Sequence, residues 1–270
     1  MTDKIFVGKE GNRSDSDIGT YVKVVTEAVE NYESFCNFKK DPRYTEVLEH
    51  VTPEYGLKYL NVIKQQTPDF LNLINEFKEN DHVGGASPYY YDDIETEISP
   101  STLRYVKVAS DLRVLFGKNI GRRIAEIGVG YGGQMLMIDK VFDFDRYDLF
   151  DLPPVLELTS KYLESHMLNN SYRTCTLNQS QGDVEYDLIV SNYAFSELPS
   201  QVQLRYIDKI LSKSTRGYLT MNSGAPGREQ YDVNKLPAVY IQQLIPNAQI
   251  FAEDPNAGEG NYIIAWGHNG

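Results

Sequence analysis

Three glycines at G-x-G-x-x-G spacing, Gly128, Gly130 and Gly133, follow a short apolar run, with the acidic Glu126 two residues ahead and Tyr131 inside the turn. Glycines permit positive φ and leave no Cβ between backbone and ligand. A helix-like segment, 134–142, follows, so its free N–H groups point into the cleft that such a turn opens. The chemistry this suits is the holding of a nucleotide-type cofactor, although the spacing alone serves many cofactors, and a glycine-rich turn with no ligand is the plain alternative. Asp151 ends a second strand-like run about 20 residues further on, where a carboxylate accepts hydrogen bonds from ribose hydroxyls. Equally, it caps the turn before Leu152-Pro153-Pro154.

Those residues must be held by strand ends, and the chain supplies strands at the right places. Runs at 122–127, 146–151, 172–177, 186–191 and 217–222 read as strands, with helices at 134–142, 154–168 and 199–212 between most of them. Strands alternating with helices form βαβ units and a parallel sheet. A helix at 235–244 precedes two last strands, 248–252 and 261–266. The Pro/Asn/Gly turn 253–260 between them has no room for a crossover helix, so this pair is antiparallel.

The chain ahead of residue 120 reads as helical. Tyr21, Val25, Ala28, Tyr32 and Phe35 fall at helical spacing, with Ser14 and Asp17 as caps. Thr52-Pro53, Thr67-Pro68 and Ser99-Pro100 each place a capping hydroxyl before a proline at a helix start, and Gly117 stops the last of these helices. Residues 81–93, DHVGGASPYYYDD, break the pattern as a long loop. Its three tyrosines either line a substrate cleft or pack as rings. Residues 1–15 form a polar tail, frayed or ordered by a partner. The division expected is a helical cap and substrate region at 1–120 and a cofactor-binding domain at 121–270.

A net charge of −12, from 26 basic and 38 acidic residues, disfavours a nucleic-acid partner. Cys36 and Cys175 are too few for a disulfide framework or a metal site, and no apolar stretch approaches the ~18 residues of a membrane span. A cytoplasmic protein is expected.

Glu126-x-Gly128-x-Gly130 closing a first strand resembles motif I of class I S-adenosylmethionine (SAM) dependent methyltransferases, whose α/β sheet also ends in an antiparallel hairpin. From about residue 99 to 222 the chain resembles, more narrowly, the sugar O-methyltransferases of bacterial surface-polysaccharide gene clusters. That resemblance is carried by SPSTLRYVK, EIGVGYGGQ, YDLFDLP and SNYAFSELP. It implies a Rossmann-like seven-stranded sheet of order 3-2-1-4-5-7-6 with one antiparallel strand, and transfer of the SAM methyl to a sugar hydroxyl with S-adenosylhomocysteine as product. Glu126, Gly128, Gly130, Tyr131 and Gly133 would then hold the methionine half and Asp151 the ribose, with Leu152 also at the cofactor. Asn178 and Gln179, after the third strand, would lie at the adenine, or be loop residues only. Asn192 and Tyr193 would face the methyl or the amino acid end. Arg104 would pair with the SAM carboxylate or remain a solvated helix residue.

The base reads as Glu197 first and His82 second; Glu197 equally suits a helix N-terminal acid. His50, His166 and His268 read as surface residues. The acidic run 92–97 reads as a solvated face, so no metal is expected. Arg228 would grip a diphosphate if the acceptor sugar is nucleotide-linked, and a homodimer is allowed. Two other classes fit part of the pattern, an NAD(P)-dependent oxidoreductase and a SAM-binding relative without turnover. The residues ahead of the first strand and the antiparallel end speak against the dinucleotide reading.

Overall fold

The computed structural model describes residues 19–180, 184–225 and 234–268. The polar tail, the Ser14 and Asp17 caps and Arg228 lie outside the described residues. The described residues open on the helices α1 (Gly19–Glu30), α2 (Tyr32–Asn37), α3 (Pro42–Thr45) and α4 (Pro53–Gln66). Thr52 caps α4 as expected, its hydroxyl accepting from Tyr55 N–H at 3.4 Å. Thr67-Pro68 departs from its expected role. The Thr67 hydroxyl bonds to Ser110 Oγ at 2.9 Å and does not cap. The segment therefore winds as 3-10 turns over Pro68–Leu73, with one short helix, α5 (Ile74–Phe77).

The expected 81–93 loop runs into a two-stranded antiparallel hairpin, β1 (Tyr89–Tyr91) and β2 (Thr96–Ile98). Glu95, in the left-handed region, makes its turn. Tyr91 is buried against Gly56 of α4, while Tyr89 and Tyr90 are half-exposed. None of the three lines the main cavity. Of the two alternatives for these tyrosines, Tyr91 takes the packing one, and Tyr89 and Tyr90 stay at the surface outside the cavity.

Ser99 caps α6 (Pro100–Phe116), accepting from Thr102 N–H at 3.1 Å, and Gly117, at φ 77°, ends it. This helix is buried on nearly every side, so its polar residues must satisfy one another. Lys107 Nζ lies 2.7 Å from Asp111 Oδ2, and Tyr218 donates to the same oxygen at 2.5 Å. Replacing Lys107 by Met leaves a buried carboxylate without its cation and is expected to cost about 3 kcal/mol, read as a shifted urea midpoint. The double variant Lys107→Met/Asp111→Leu should recover much of that loss, since the charge goes with its partner.

The sheet follows. Its strands are β3 (Arg123–Ile127), β4 (Arg146–Phe150), β5 (Ser171–Cys175), β6 (Tyr186–Asn192), β7 (Ser214–Met221), β8 (Gln249–Ala252) and β9 (Tyr262–Trp266). Helices α7 (Gly133–Val141), α8 (Pro153–Leu163), α9 (Ala194–Glu197), α10 (Ser200–Lys209) and α11 (Ala238–Leu244) alternate with them. The lateral order is β5-β4-β3-β6-β7-β9-β8, and β9 alone runs antiparallel, against both β7 and β8. Renumbered from the first strand of this sheet, that is the expected class I methyltransferase order 3-2-1-4-5-7-6.

One apolar core joins the N-terminal helices to one face of the sheet, and a second fills the other face. At the first junction Lys39 is buried, donating to the Asn80 carbonyl at 2.5 Å, with its Nζ 4.2 Å from the Tyr131 ring centroid and 4.8 Å from that of Tyr162. Burial pulls its pKa down to about 8. Among the described residues no helix is long and apolar enough to cross a membrane.

Candidate active site

A cavity of about 830 Å³ opens between the carboxyl ends of β3, β4 and β6 and the N-terminal helices, where an open α/β sheet binds its ligands. Its floor is the turn after β3. Gly128 sits at φ 75° and donates to the Phe150 carbonyl at 2.8 Å, and a Cβ there would lie 1.9 Å from Ala194 Cβ. Gly130, at φ 55°, faces Leu48, whose Cδ1 lies 2.9 Å from the position a Cβ would take. The third glycine with positive φ is Gly132, the N-cap of α7, at 94°. Gly133 is already helical, abuts the Tyr105 and Tyr131 rings, and stays out of the cavity wall.

Tyr131 does not line the cavity either. Its ring is fully buried, edge-on to Tyr162 at 4.8 Å, and its hydroxyl accepts from Asn80 Nδ2 at 3.1 Å. The turn's tyrosine therefore anchors the glycine loop to the N-terminal helical region.

Asp151 spans the floor. One carboxylate oxygen accepts from Val129 N–H at 2.8 Å and Gly130 N–H at 3.4 Å, the other from Leu152 N–H at 2.7 Å. Burial raises its pKa to about 6 against the pull of those amides. Glu126 is more deeply placed. Burial lifts it to about 8, although Tyr147 donates to it at 2.9 Å, so it keeps its proton at neutral pH.

Arg104, from α6, is buried at the opposite wall. Its Nη2 donates to the Leu48 carbonyl at 3.1 Å, its Nε has no hydrogen-bond partner, and it makes no ion pair among the described residues. A buried guanidinium in that condition is a ready partner for a carboxylate. Asn192 donates to Gln134 Oε1 at 2.9 Å. Tyr193, held at φ 64°, donates to Glu253, which also accepts from Ala257 N–H and Asn261 Nδ2, both at 2.9 Å. Both Asn192 and Tyr193 line the cavity.

Leu152 and Asn178 line it too, with Phe150, Leu177 and Tyr206 forming an apolar slot. Gln179 does not join them. Its Oε1 turns back to accept from Thr176 N–H at 2.8 Å.

Of the two expected bases, Glu197 lines the cavity, and its Oε1 accepts from Asn222 Nδ2 at 3.1 Å. His82 does not. Asp81 is pinned to Ser99 N–H and the Thr102 hydroxyl, which leaves His82 exposed on the surface. The imidazole that does reach the cavity is His50, at the elbow before α4. Only the placement of the elbow over the strand ends marks it, because its spacing in the chain carries no signal.

No protein-family model and no curated protein matches the chain. Solved structures do. One is the mitomycin 7-O-methyltransferase, at 10% identity over 93% of this chain and 68% of that one, with a TM-score of 0.44. Another is magnesium protoporphyrin IX methyltransferase from Synechocystis with bound SAM, at 12% identity over 77% and 95%, TM-score 0.43. A third is geranyl diphosphate methyltransferase with its diphosphate and sinefungin, at 11% identity over 62% and 78%, TM-score 0.45.

Proposed function

We propose that this chain is a SAM-dependent O-methyltransferase whose acceptor is a sugar hydroxyl. The observation that carries the cofactor reading is one cavity with a buried Arg104, in no ion pair among the described residues, on one wall and the Asp151-held glycine turn on another. Arg104 would take the carboxylate of SAM, Asp151 its ribose hydroxyls, and the slot of Phe150, Leu177 and Tyr206 its adenine. Glu197 adds negative charge to a cavity suited to a sulfonium cation. Bound SAM supplies an electrophilic methyl. The chain's own residues align an oxygen with it and shut out water, and the apolar roof of Val47, Leu48 and Val51 serves that exclusion.

The sugar acceptor and a place in surface-polysaccharide synthesis, in the cytoplasm, rest on the motif resemblance. The cavity wall supports them in that it includes the rings of Tyr55, Tyr59 and Tyr193 and the amides of Asn222 and Asn261. On this reading residues 1–120 act as cap and acceptor wall, and 121–270 as the cofactor domain.

Thermal melting with four ligands tests the cofactor. At about 100 times their dissociation constants, SAM and S-adenosylhomocysteine should each add about 2.7 kcal/mol of stability, while NAD and NADP add none. Stabilisation by NAD and indifference to S-adenosylhomocysteine would replace this reading with the oxidoreductase one.

A further inference from the structure

The cofactor reading uses the ends of β3 and β4. On the other side of β3 the sheet continues through β6, β7 and β9, and the residues at their ends on the same edge, Tyr193, Asn222 and Asn261, also line the cavity. On that reading the acceptor lies along this row. Behind it sits Glu253, the residue after β8, which is 6% exposed and is not itself part of the cavity wall. Its hydrogen-bond partners among the described residues are Tyr193, Ala257 and Asn261, and all three are wall residues. A buried carboxylate bonded in this way fixes the shape of the wall in front of it.

We infer that Glu253 is a positioning residue that sets acceptor choice, by building a site for a sugar with a second free hydroxyl besides the one methylated. This rests on the methyltransferase reading above and narrows the class of acceptor. The bonds divide by oxygen. Oε2 accepts from Ala257 N–H and Asn261 Nδ2, both at 2.9 Å, and so holds the turn between β8 and β9. Oε1 accepts from the Tyr193 hydroxyl. With its proton directed to Glu253, the Tyr193 oxygen has lone pairs to offer and no donor. A substrate hydroxyl can donate to it; an ether oxygen, a fluorine or a carboxylate cannot.

The main chain holds Tyr193 as firmly as its hydroxyl does. It sits at φ 64°, a costly region for a bulky side chain. Its N–H donates to the Thr220 carbonyl of β7 at 2.8 Å, and its carbonyl accepts from Ser196 N–H at 2.9 Å and Ser196 Oγ at 2.6 Å, both of α9. Strain maintained from three elements at a cavity wall marks a position where placement of the ring matters to function.

Glu253→Gln tests the inference without releasing the turn. Ala257 N–H only donates, so the new amide oxygen must face it and the amide nitrogen must face Tyr193. The Tyr193 oxygen then accepts, and its own proton is freed to donate into the site. Methyl transfer from SAM to a panel of methyl glycosides, each beside its monodeoxyfluoro analogues, reads that inversion. In the unaltered chain one fluorine replacement, away from the methylated oxygen, should lower kcat/KM roughly 10-fold or more, chiefly through KM. In Glu253→Gln the same penalty should shrink to within about 3-fold or reverse, with affinity for S-adenosylhomocysteine unchanged within a few-fold. Tyr193→Phe, which deletes the oxygen, should also remove the penalty, and it carries the test if Glu253→Gln does not fold. No penalty in the unaltered chain, or a penalty that survives either substitution, makes Glu253 a support of the fold only and overturns the inference. The reading beneath it fails differently. An unaltered chain that does not bind S-adenosylhomocysteine refutes the methyltransferase, and bound cofactor with no glycoside methylated refutes the sugar acceptor and this inference together.

Discussion

Gly128→Val should leave a protein that gives no detectable heat on titration with SAM. The reason is geometric. A Cβ at this position would lie 1.9 Å from Ala194 Cβ, which no pair of carbons tolerates, and φ is 75°, a region β-branched residues avoid. Ala194 opens α9 and the glycine turn is held by Asp151, so relief requires moving one wall of the cavity or the other. Gly130→Val should be milder, because the atom in its way is the end of the flexible Leu48 side chain. Gly128→Ala with Ala194→Gly separates clash from strain. If the clash dominates, the pair recovers most of the binding that Gly128→Ala loses. Unchanged binding by Gly128→Val would remove the cofactor from this cavity.

Asp151→Asn is expected to weaken SAM roughly 100-fold, the loss of one to two charge-assisted hydrogen bonds. Its signature lies in pH. Burial raises the carboxyl from its ordinary 3.8 to about 6, and on the proposed reading it would accept ribose hydroxyls more strongly when ionised. Affinity should therefore be level above about pH 7 and fall as pH drops through 6. In Asp151→Asn the curve should flatten at the weakened level. Titrations between pH 5 and 8 check this, and a slope that survives the substitution assigns the proton elsewhere.

Much of the fold was legible in local signals. Strands β3, β6 and β9 rose from apolar runs, Ser99-Pro100 and Gly117 bracketed α6, and the short 253–260 turn forced the antiparallel end. The hairpin Tyr89–Ile98 was hidden because its strands are three residues each and its turn is acidic. Thr67 did not cap because its hydroxyl found Ser110, 43 residues away. At the site, backbone-determined positions read well from sequence: Gly128, Gly130, Asp151 and Asn192 all line the cavity. Side-chain direction did not. Tyr131 turned into the core and Gln179 back onto Thr176, while Leu48 and His50 arrived from a cap whose docking no local pattern encodes.

That docking bears on timing. Leu48 presses on Gly130 with its side chain and accepts from Arg104 with its carbonyl, so one residue of the elbow ties the glycine turn to the guanidinium proposed for the carboxylate. On the reading that SAM binds here, a nucleoside beneath the elbow would leave when the elbow lifts. On the proposed reading, long residence of S-adenosylhomocysteine and binding of cofactor before acceptor would follow from that coupling.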